Sequence, residues 1–454
     1  MIGLHDYLAV LQAGGKGTRM KDLTKDLIPK PLLQLGEKSM LEWQIENLHK
    51  YGIADFVIIT GHLGEQIEET LGNGESLGVR IRYIRETKPL GSGGALFYLK
   101  EMLGDARHVL LTLGDVMFDI DVRRFAAFHE KCGGVATLLV HPNGHPHDSD
   151  LVEICSEAAE ITGPVLESQG GRVTRFDSKT NVRDYLYDNC VNAGLYILEP
   201  EIIETLSEVR PLDLEREILL PYISAGRLFA YRTTEYVKDA GTPERFRRAE
   251  AELRAGTWTK RNLGNPQRAI FFDRDGTLNI YRGLIDRPEM LDLLPGAAEA
   301  VAKVNASEYL GMVVSNQPVV ARGMCSVEDV QAINRKLGVL LGKEGAYLDD
   351  IAFCPHHPDK GYAGENPLYK IDCSCRKPGA GMLEALAERW NIDLSASWLI
   401  GDSIRDIECG NRAGVKTILV RTGEYEAGKA AVPSPKAVAD DVLSAVKMIL
   451  EDKA

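Results

Sequence analysis

Residues 268–279 read RAIFFDRDGTLN, an apolar run that ends in two aspartates two positions apart and a glycine turn. Side chains alternate along extended chain, so Asp273 and Asp275 reach one site at the strand's tip, where paired carboxylates need a cation beside them. An earlier stretch has the same grammar: YLAVLQAGGKGTR, residues 7–19, is an apolar run ending in a glycine loop. Behind each, apolar runs such as FVIIT, HVLLTLGD, GMVVSN and SWLIGD alternate with helical patterns such as SMLEWQIENLHKYG. Alternating strand and helix predicts an α/β fold in two domains with parallel sheets. ERFRRAEAELRAG reads as the helix closing the first domain, and the polar GTWTKRNLGNPQ, residues 256–267, as the linker. The expected domains are therefore 1–255 and 268–454.

The 454 residues carry 53 Lys+Arg against 66 Asp+Glu, a net charge of −13, so nucleic acid and anionic membranes are not expected partners. No apolar run approaches the ~18 residues of a membrane span, and the N-terminus lacks the basic start and long apolar segment of a signal peptide. The expected compartment is the cytoplasm, where clustered cysteines point to metal binding or catalysis rather than disulfides. Five of the eight cysteines (Cys132, Cys155, Cys190, Cys325 and Cys409) are scattered and read as core or surface residues.

In an α/β sheet the loop after the first strand faces the ligand. Gly14, Gly15 and Gly17 of AGGKGTR let backbone N–H groups approach phosphate oxygens, and Lys16 and Arg19 add charge. The spacing fits neither a Walker loop nor a dinucleotide fingerprint, so the loop alone reads equally as a flexible turn. Its company decides. Lys30 stands in IPKPLLQL, Gly91 and Gly94 in a second glycine loop, PLGSGGAL, and Asp115 at the end of LLTLGD. Asn192 and Gly194 lie in NAGLYIL, and Asp239 in VKDAGTPE. Together these motifs resemble the sugar-1-phosphate nucleotidylyltransferases across nearly all of residues 5–250, and look closest to the mannose- and heptose-1-phosphate guanylyltransferases.

That resemblance implies a Rossmann-like, glycosyltransferase-A-like domain in which a sugar 1-phosphate attacks the α-phosphate of a nucleoside triphosphate and pyrophosphate leaves. It implies that Asp115 and Asp239 hold Mg²⁺, that Arg19 stabilises the departing pyrophosphate and that Lys30 binds the reacting phosphates. Gly14, Gly15, Gly17, Gly91 and Gly94 would border the nucleotide; Lys179, Asn192 and Gly194 would meet the sugar phosphate. Asp239 also reads as a helix N-cap ahead of GTPE. Where the family commonly carries Glu-Lys, this chain has FDSKTN, so Ser178 replaces the acid. HPNGHPHDSDLVE, residues 141–153, reads as a solvated loop, with a metal site as the alternative.

In the second half, FFDRDGTLN resembles motif one of the haloacid dehalogenase superfamily, and Ser315, Lys377 and Asp402 follow in the superfamily's order. The resemblance implies a Rossmannoid phosphatase with Asp273 as nucleophile and Asp275 as general acid and base. Mg²⁺ would be held by Asp273, Asp402 and the backbone carbonyl of Asp275. Ser315, Asn316, Arg376 and Lys377 would bind the substrate's phosphate. Arg405 and Asp406 read either as supporting residues or as a salt-bridged helix start. Cys354 and His356 form C-x-H, and Cys373 and Cys375 form C-x-C. Four such ligands in two close pairs suit a closed structural Zn²⁺ site, and His357 is left out because the resemblance assigns the ligand to the first histidine of PHHP.

CPHHP, CSCRKPGAGM and the long gap between the ligand pairs look like the D,D-heptose 1,7-bisphosphate phosphatases, although SNQPVVARG has Pro318 and Val319 where that family has Ser-Gly. Removing the distal phosphate of a heptose bisphosphate leaves the anomeric phosphate that a nucleotidylyltransferase uses. The two halves therefore read as consecutive steps to an NDP-heptose, with GTP favoured over ATP. Another sugar bisphosphate, such as a hexose, and a first half kept only as a sugar-phosphate sensor are the competing readings.

Overall fold

The computed structural model describes residues 4–155, 161–425 and 434–453. A nine-stranded sheet dominates the first half. Its strands Arg80–Arg85, Asp55–Thr60, Tyr7–Ala13 and His108–Leu113 are parallel neighbours, followed by Val191–Leu198, Ala136–His141, Leu228–Arg232, Gly170–Asp177 and Leu151–Ile154. Tyr7–Ala13 is buried along almost its whole length, as a run without alternation requires of a strand covered on both faces. The helix Met40–His49 starts at a capping box in which the Ser39 hydroxyl accepts from the Glu42 N–H and the Glu42 carboxylate accepts from the Ser39 N–H.

The second sheet runs Asp350–Cys354, Tyr309–Asn316, Arg268–Phe272, Trp398–Gly401, Lys416–Val420 and Ala437–Ala439, all parallel. An additional edge strand was not expected. Val165–Leu166, from the first half, pairs antiparallel with Asp350–Cys354. The halves are therefore not joined by one segment alone. Among the described residues no helix is long and apolar enough to cross a membrane.

Within residues 256–267, read as a polar linker, Trp258, Arg261, Asn262, Leu263 and Gln267 are buried while Thr259, Lys260, Gly264, Asn265 and Pro266 are exposed. Trp258 is 2% exposed and stacks on Tyr236 at 4.8 Å between ring centres. Arg261 donates to the Tyr309 carbonyl at 2.8 Å and Asn262 to the Asp119 carboxylate at 2.7 Å. Arg261 and Asn262 are thus bonded outside the stretch, to opposite halves of the chain, rather than solvated. Arg232 does the same from the first sheet, 2.5 Å from Glu167 and donating to the Asp349 carbonyl at 2.9 Å.

Glu235 lies at the same junction. One of its carboxylate oxygens accepts the Asp121 and Leu263 N–H groups at 2.7 and 2.8 Å, and the other accepts the Thr233 hydroxyl at 2.8 Å. Burial pushes its carboxyl up to about 7 despite those donors. An acid whose folded pKa lies above the unfolded ~4.3 holds its proton better when folded, so its contribution to stability is lost as pH rises from ~4.3 through about 7. Glu235→Gln keeps an oxygen for both N–H groups and carries no charge. The variant should therefore lose less thermal stability than the parent between pH 5.5 and 8, by on the order of 2 kcal/mol. Equal pH slopes in thermal unfolding would count against a buried charge at this position.

Candidate active sites and metal centre

The first site opens at the carboxyl ends of the parallel strands. The loop after Tyr7–Ala13, Lys30, Glu86, Gly91 and Asp115 line a cavity of about 510 Å³. Gly17 takes a left-handed φ of 59°, which lets the loop turn over Lys30. Lys30, 9% exposed, reaches Asp115 with its Nζ 2.6 Å from Oδ2. The strand Tyr236–Asp239 pairs antiparallel with Val116–Asp119, matching Asp239 with Val116, and so brings Asp239 beside Asp115. Gly241 sits where these groups converge. A Cβ there would lie 2.5 Å from Asp239 Oδ1 and 3.2 Å from both Arg19 Nη2 and Asp115 Oδ2. Asp239 also accepts from the Gly241 N–H at 2.5 Å and pairs with Arg245. It does not cap the following helix; the Thr242 side chain accepts from the Arg245 N–H in that role.

A second cavity, of about 580 Å³, continues from Asp239 to Lys179 and Asn192, and its far wall includes Asn305, Gly345 and Tyr347 of the second half. Asn192 donates to the Tyr196 hydroxyl at 2.9 Å, and that hydroxyl donates to Glu215 at 2.5 Å. Gly194, with φ 74°, lies at the register break between Asn192 and Tyr196 and packs on Leu113 and Val116. Gly15 is open, with nothing near its Cα face. Gly94 is buried, and a Cβ there would strike the Arg210 carbonyl. Sequence reasoning missed Glu86, whose oxygen crowds Gly14 and whose carboxyl burial pushes up, and also Glu215 and Tyr196.

At the second site, Asp273 caps the strand Arg268–Phe272, and its Oδ1 lies 2.5 Å from Lys377 Nζ. The same ammonium lies 2.6 Å from Asp406 and donates to the Val314 carbonyl at 2.9 Å. Asp273, Asp402 and Asp406 each offer an oxygen close enough to share one cation, and all three are buried. Burial and mutual repulsion push the carboxyls of Asp273 and Asp402 up, and the Lys377 ammonium opposes that shift. Asp402 is closely hemmed by Gly276 and Gly423, where a side chain would strike its carboxylate.

The contacts around the second aspartate and the following loop refine this site. The Asp275 carboxylate is not among the cation group. It accepts from Arg274 at 2.9 Å, Asn279 at 3.0 Å and Gln317 at 2.7 Å, which leaves only its main-chain oxygen for a metal, while Asp406 joins the cluster instead. Asn316 lines this cavity and its amide clamps the Lys377 backbone, accepting from its N–H at 2.9 Å and donating to its carbonyl at 3.0 Å. Ser315 is 2% exposed and accepts from Gln317 at 2.8 Å. Arg376 lines the cavity, of about 320 Å³, together with Arg322, Arg405 and His357. The first and last of those additions were not singled out as site residues from sequence.

Cys354, His356, Cys373 and Cys375 come together beneath this site. Cys354 Sγ and Cys375 Sγ lie 3.4 and 3.3 Å from His356 Nδ1, and Cys373 Sγ is 3.6 and 3.4 Å from the two sulfurs. These sulfurs are too far apart for a disulfide, whose S–S bond is ~2.05 Å. They match the edges of a tetrahedron with ~2.3 Å metal–sulfur bonds. Among the described residues, 141–153 contribute to no such group.

Residues 8–256 match the nucleotidyl transferase family, and residues 374–445 match the HAD-hydrolase-like family. The D-glycero-beta-D-manno-heptose-1,7-bisphosphate 7-phosphatase of Rhodopseudomonas palustris is 41% identical over 147 residues, 32% of this chain and 79% of that enzyme. The mannose-1-phosphate guanyltransferase beta-B of Xenopus laevis is 30% identical over 240 residues, 52% of this chain and 62% of its own length. The solved structure of HddC from Yersinia pseudotuberculosis is 23% identical with a TM-score of 0.45, over 54% of this chain and 99% of that one.

Proposed function

The chain belongs to the nucleotidyl transferase family through residues 8–256 and, in its C-terminal part, to the heptose-bisphosphate 7-phosphatases, and we propose that its two halves catalyse consecutive steps toward an NDP-heptose. It is a nucleotidyltransferase joined to a phosphatase. What supports the proposed sequence of steps is that a phosphatase-type carboxylate cluster and a transferase-type Lys30–Asp115–Asp239–Arg19 group stand complete in one chain.

In the first step Asp273 attacks the distal phosphorus of D-glycero-D-manno-heptose 1,7-bisphosphate, the ester P–O bond breaks, and Asp275 gives its proton to the departing sugar oxygen. Asp275 then takes a proton from water as that water attacks the aspartyl phosphate and releases phosphate. Lys377, held by Asn316, draws the phosphoryl group toward Asp273. Arg376 and Ser315 bind phosphate oxygens, with Arg322 at the cavity's rim. A Mg²⁺ ion held by Asp273, Asp402 and Asp406 would neutralise the charge between the anionic nucleophile and the phosphate.

In the second step an oxygen of the heptose 1-phosphate attacks the α-phosphorus of the nucleoside triphosphate. Lys30 and Arg19 neutralise the phosphates and the departing pyrophosphate, while Lys179 and Asn192 face the sugar. A Mg²⁺ ion held by Asp115 and Asp239 would supply further neutralisation. GTP is the proposed donor, Zn²⁺ the structural ion of the cysteine–histidine centre, and the cytoplasm the compartment.

The test supplies the bisphosphate, Mg²⁺ and each triphosphate in turn, and counts phosphate and pyrophosphate. Both products, the second with GTP alone, are expected. Pyrophosphate with ATP instead would transfer the proposal to ADP-heptose. Phosphate without pyrophosphate under any triphosphate, with both anomers tried, would leave the first half a sensor or an enzyme for another sugar.

A further inference from the structure

The cysteine–histidine centre reaches beyond its own half. His356 Nε2 lies 2.6 Å from the main-chain oxygen of Ile161, which belongs to the transferase half. A carbonyl only accepts, so Nε2 carries the ring proton. Nδ1 is then left with its lone pair among the sulfurs of Cys354 and Cys375, 3.4 and 3.3 Å away. An imidazole needs that tautomer to bind a metal through Nδ1, and the partner of the other nitrogen fixes it.

A second contact lies a few residues on. Val165 and Leu166 pair with Phe353 and Ala352 at the edge of the phosphatase sheet, and the Glu167 N–H donates to the Ile351 carbonyl at 3.3 Å. That strand ends on Cys354, a ligand itself. Val165 is 2% exposed and is buried in an apolar cluster with Val319, Val320, Val330 and Phe353. One short stretch of the transferase half therefore grips both the strand that carries one ligand and the ring of another.

We propose that residues 161–167 of the transferase half act as a built-in outer partner of the phosphatase's zinc centre, holding His356 in its metal-binding tautomer. Zinc affinity and the docking of this stretch then rise and fall together. Ile161 and Val165 are positioning residues, since neither touches substrate or metal. The inference rests on the zinc reading above.

Val165→Pro removes an N–H and a β-branched side chain from the pairing strand. In the full-length zinc-loaded protein, competition with a chromophoric chelator should show zinc held ~10–100-fold more weakly than in the parent, the usual cost of losing an outer partner. In the unaltered chain, removing zinc should speed amide exchange across 161–167 and leave the strand Tyr7–Ala13 unchanged. Zinc affinity within twofold of the parent, or exchange at 161–167 indifferent to zinc, overturns the inference while the zinc centre stands. If the proline variant fails to fold, the exchange experiment decides alone. A chain that binds no zinc overturns the zinc reading and this inference with it.

Discussion

Asp273→Asn is expected to abolish phosphate release, lowering kcat by at least ~10⁴-fold, because an amide cannot form the acyl phosphate through which the reaction passes. The loss should be chemical rather than structural. Asp273 is one of three buried carboxylates that repel one another, so removing its charge relieves repulsion, and Lys377 keeps Asp406 at 2.6 Å. Pyrophosphate release from added heptose 1-phosphate should be unaffected, since Lys30, Asp115 and Asp239 share no contact with Asp273. Parallel assays of the two products in one preparation give the check. Residual phosphate release above about one per cent of the parent, with the transferase rate intact, would remove Asp273 from the role of nucleophile.

Much of this second site was legible because its chemistry is carried by short local patterns. An apolar strand that ends in Asp-x-Asp specifies its own geometry, and two close pairs of cysteine and histidine ligands do nearly the same. What could not be read depends on which chain segment arrives from elsewhere. Asp406 read as a supporting residue or a salt-bridged helix start, and only the folded chain brings it to Asp273 and Asp402, while Arg274, Asn279 and Gln317 gather around the Asp275 carboxylate. Asn316 sits in the expected place, and what its sequence position did not disclose is that its amide also holds the Lys377 backbone.

The junction was the least legible part. The stretch 256–267 is polar in composition, and composition does not distinguish side chains that are solvated from those bonded to a neighbouring domain. Val165–Leu166 is two residues long, below the length at which alternation carries a signal. At one of the two departures, Val319, the reason is long-range: its side chain shares an apolar cluster with Val165 and Val320, which no local pattern discloses. Local pattern fixed the sites' chemistry, and long-range pairing fixed which neighbours completed them.

Asp115→Asn carries the matching prediction for the transferase half. Asp115 ends the buried strand His108–Leu113 and the Gly114 turn, with Oδ2 2.6 Å from Lys30 and on the same side of Gly241 as Asp239. An amide there keeps the shape but loses the charge that would hold Mg²⁺, and it frees Lys30 from its partner. The rate of pyrophosphate release should fall by ~10²–10³-fold, the range seen when one electrostatic contact to a developing charge is removed. The Mg²⁺ concentration needed for half-maximal rate should rise as well, since one of two proposed ligands is weakened. A variant that lost only stability would show neither shift while its phosphatase rate stayed normal. A pyrophosphate rate within about fivefold of the parent, at unchanged Mg²⁺ dependence, would mean that Asp115 serves only to hold Lys30, and the ion would then need another ligand beside Asp239.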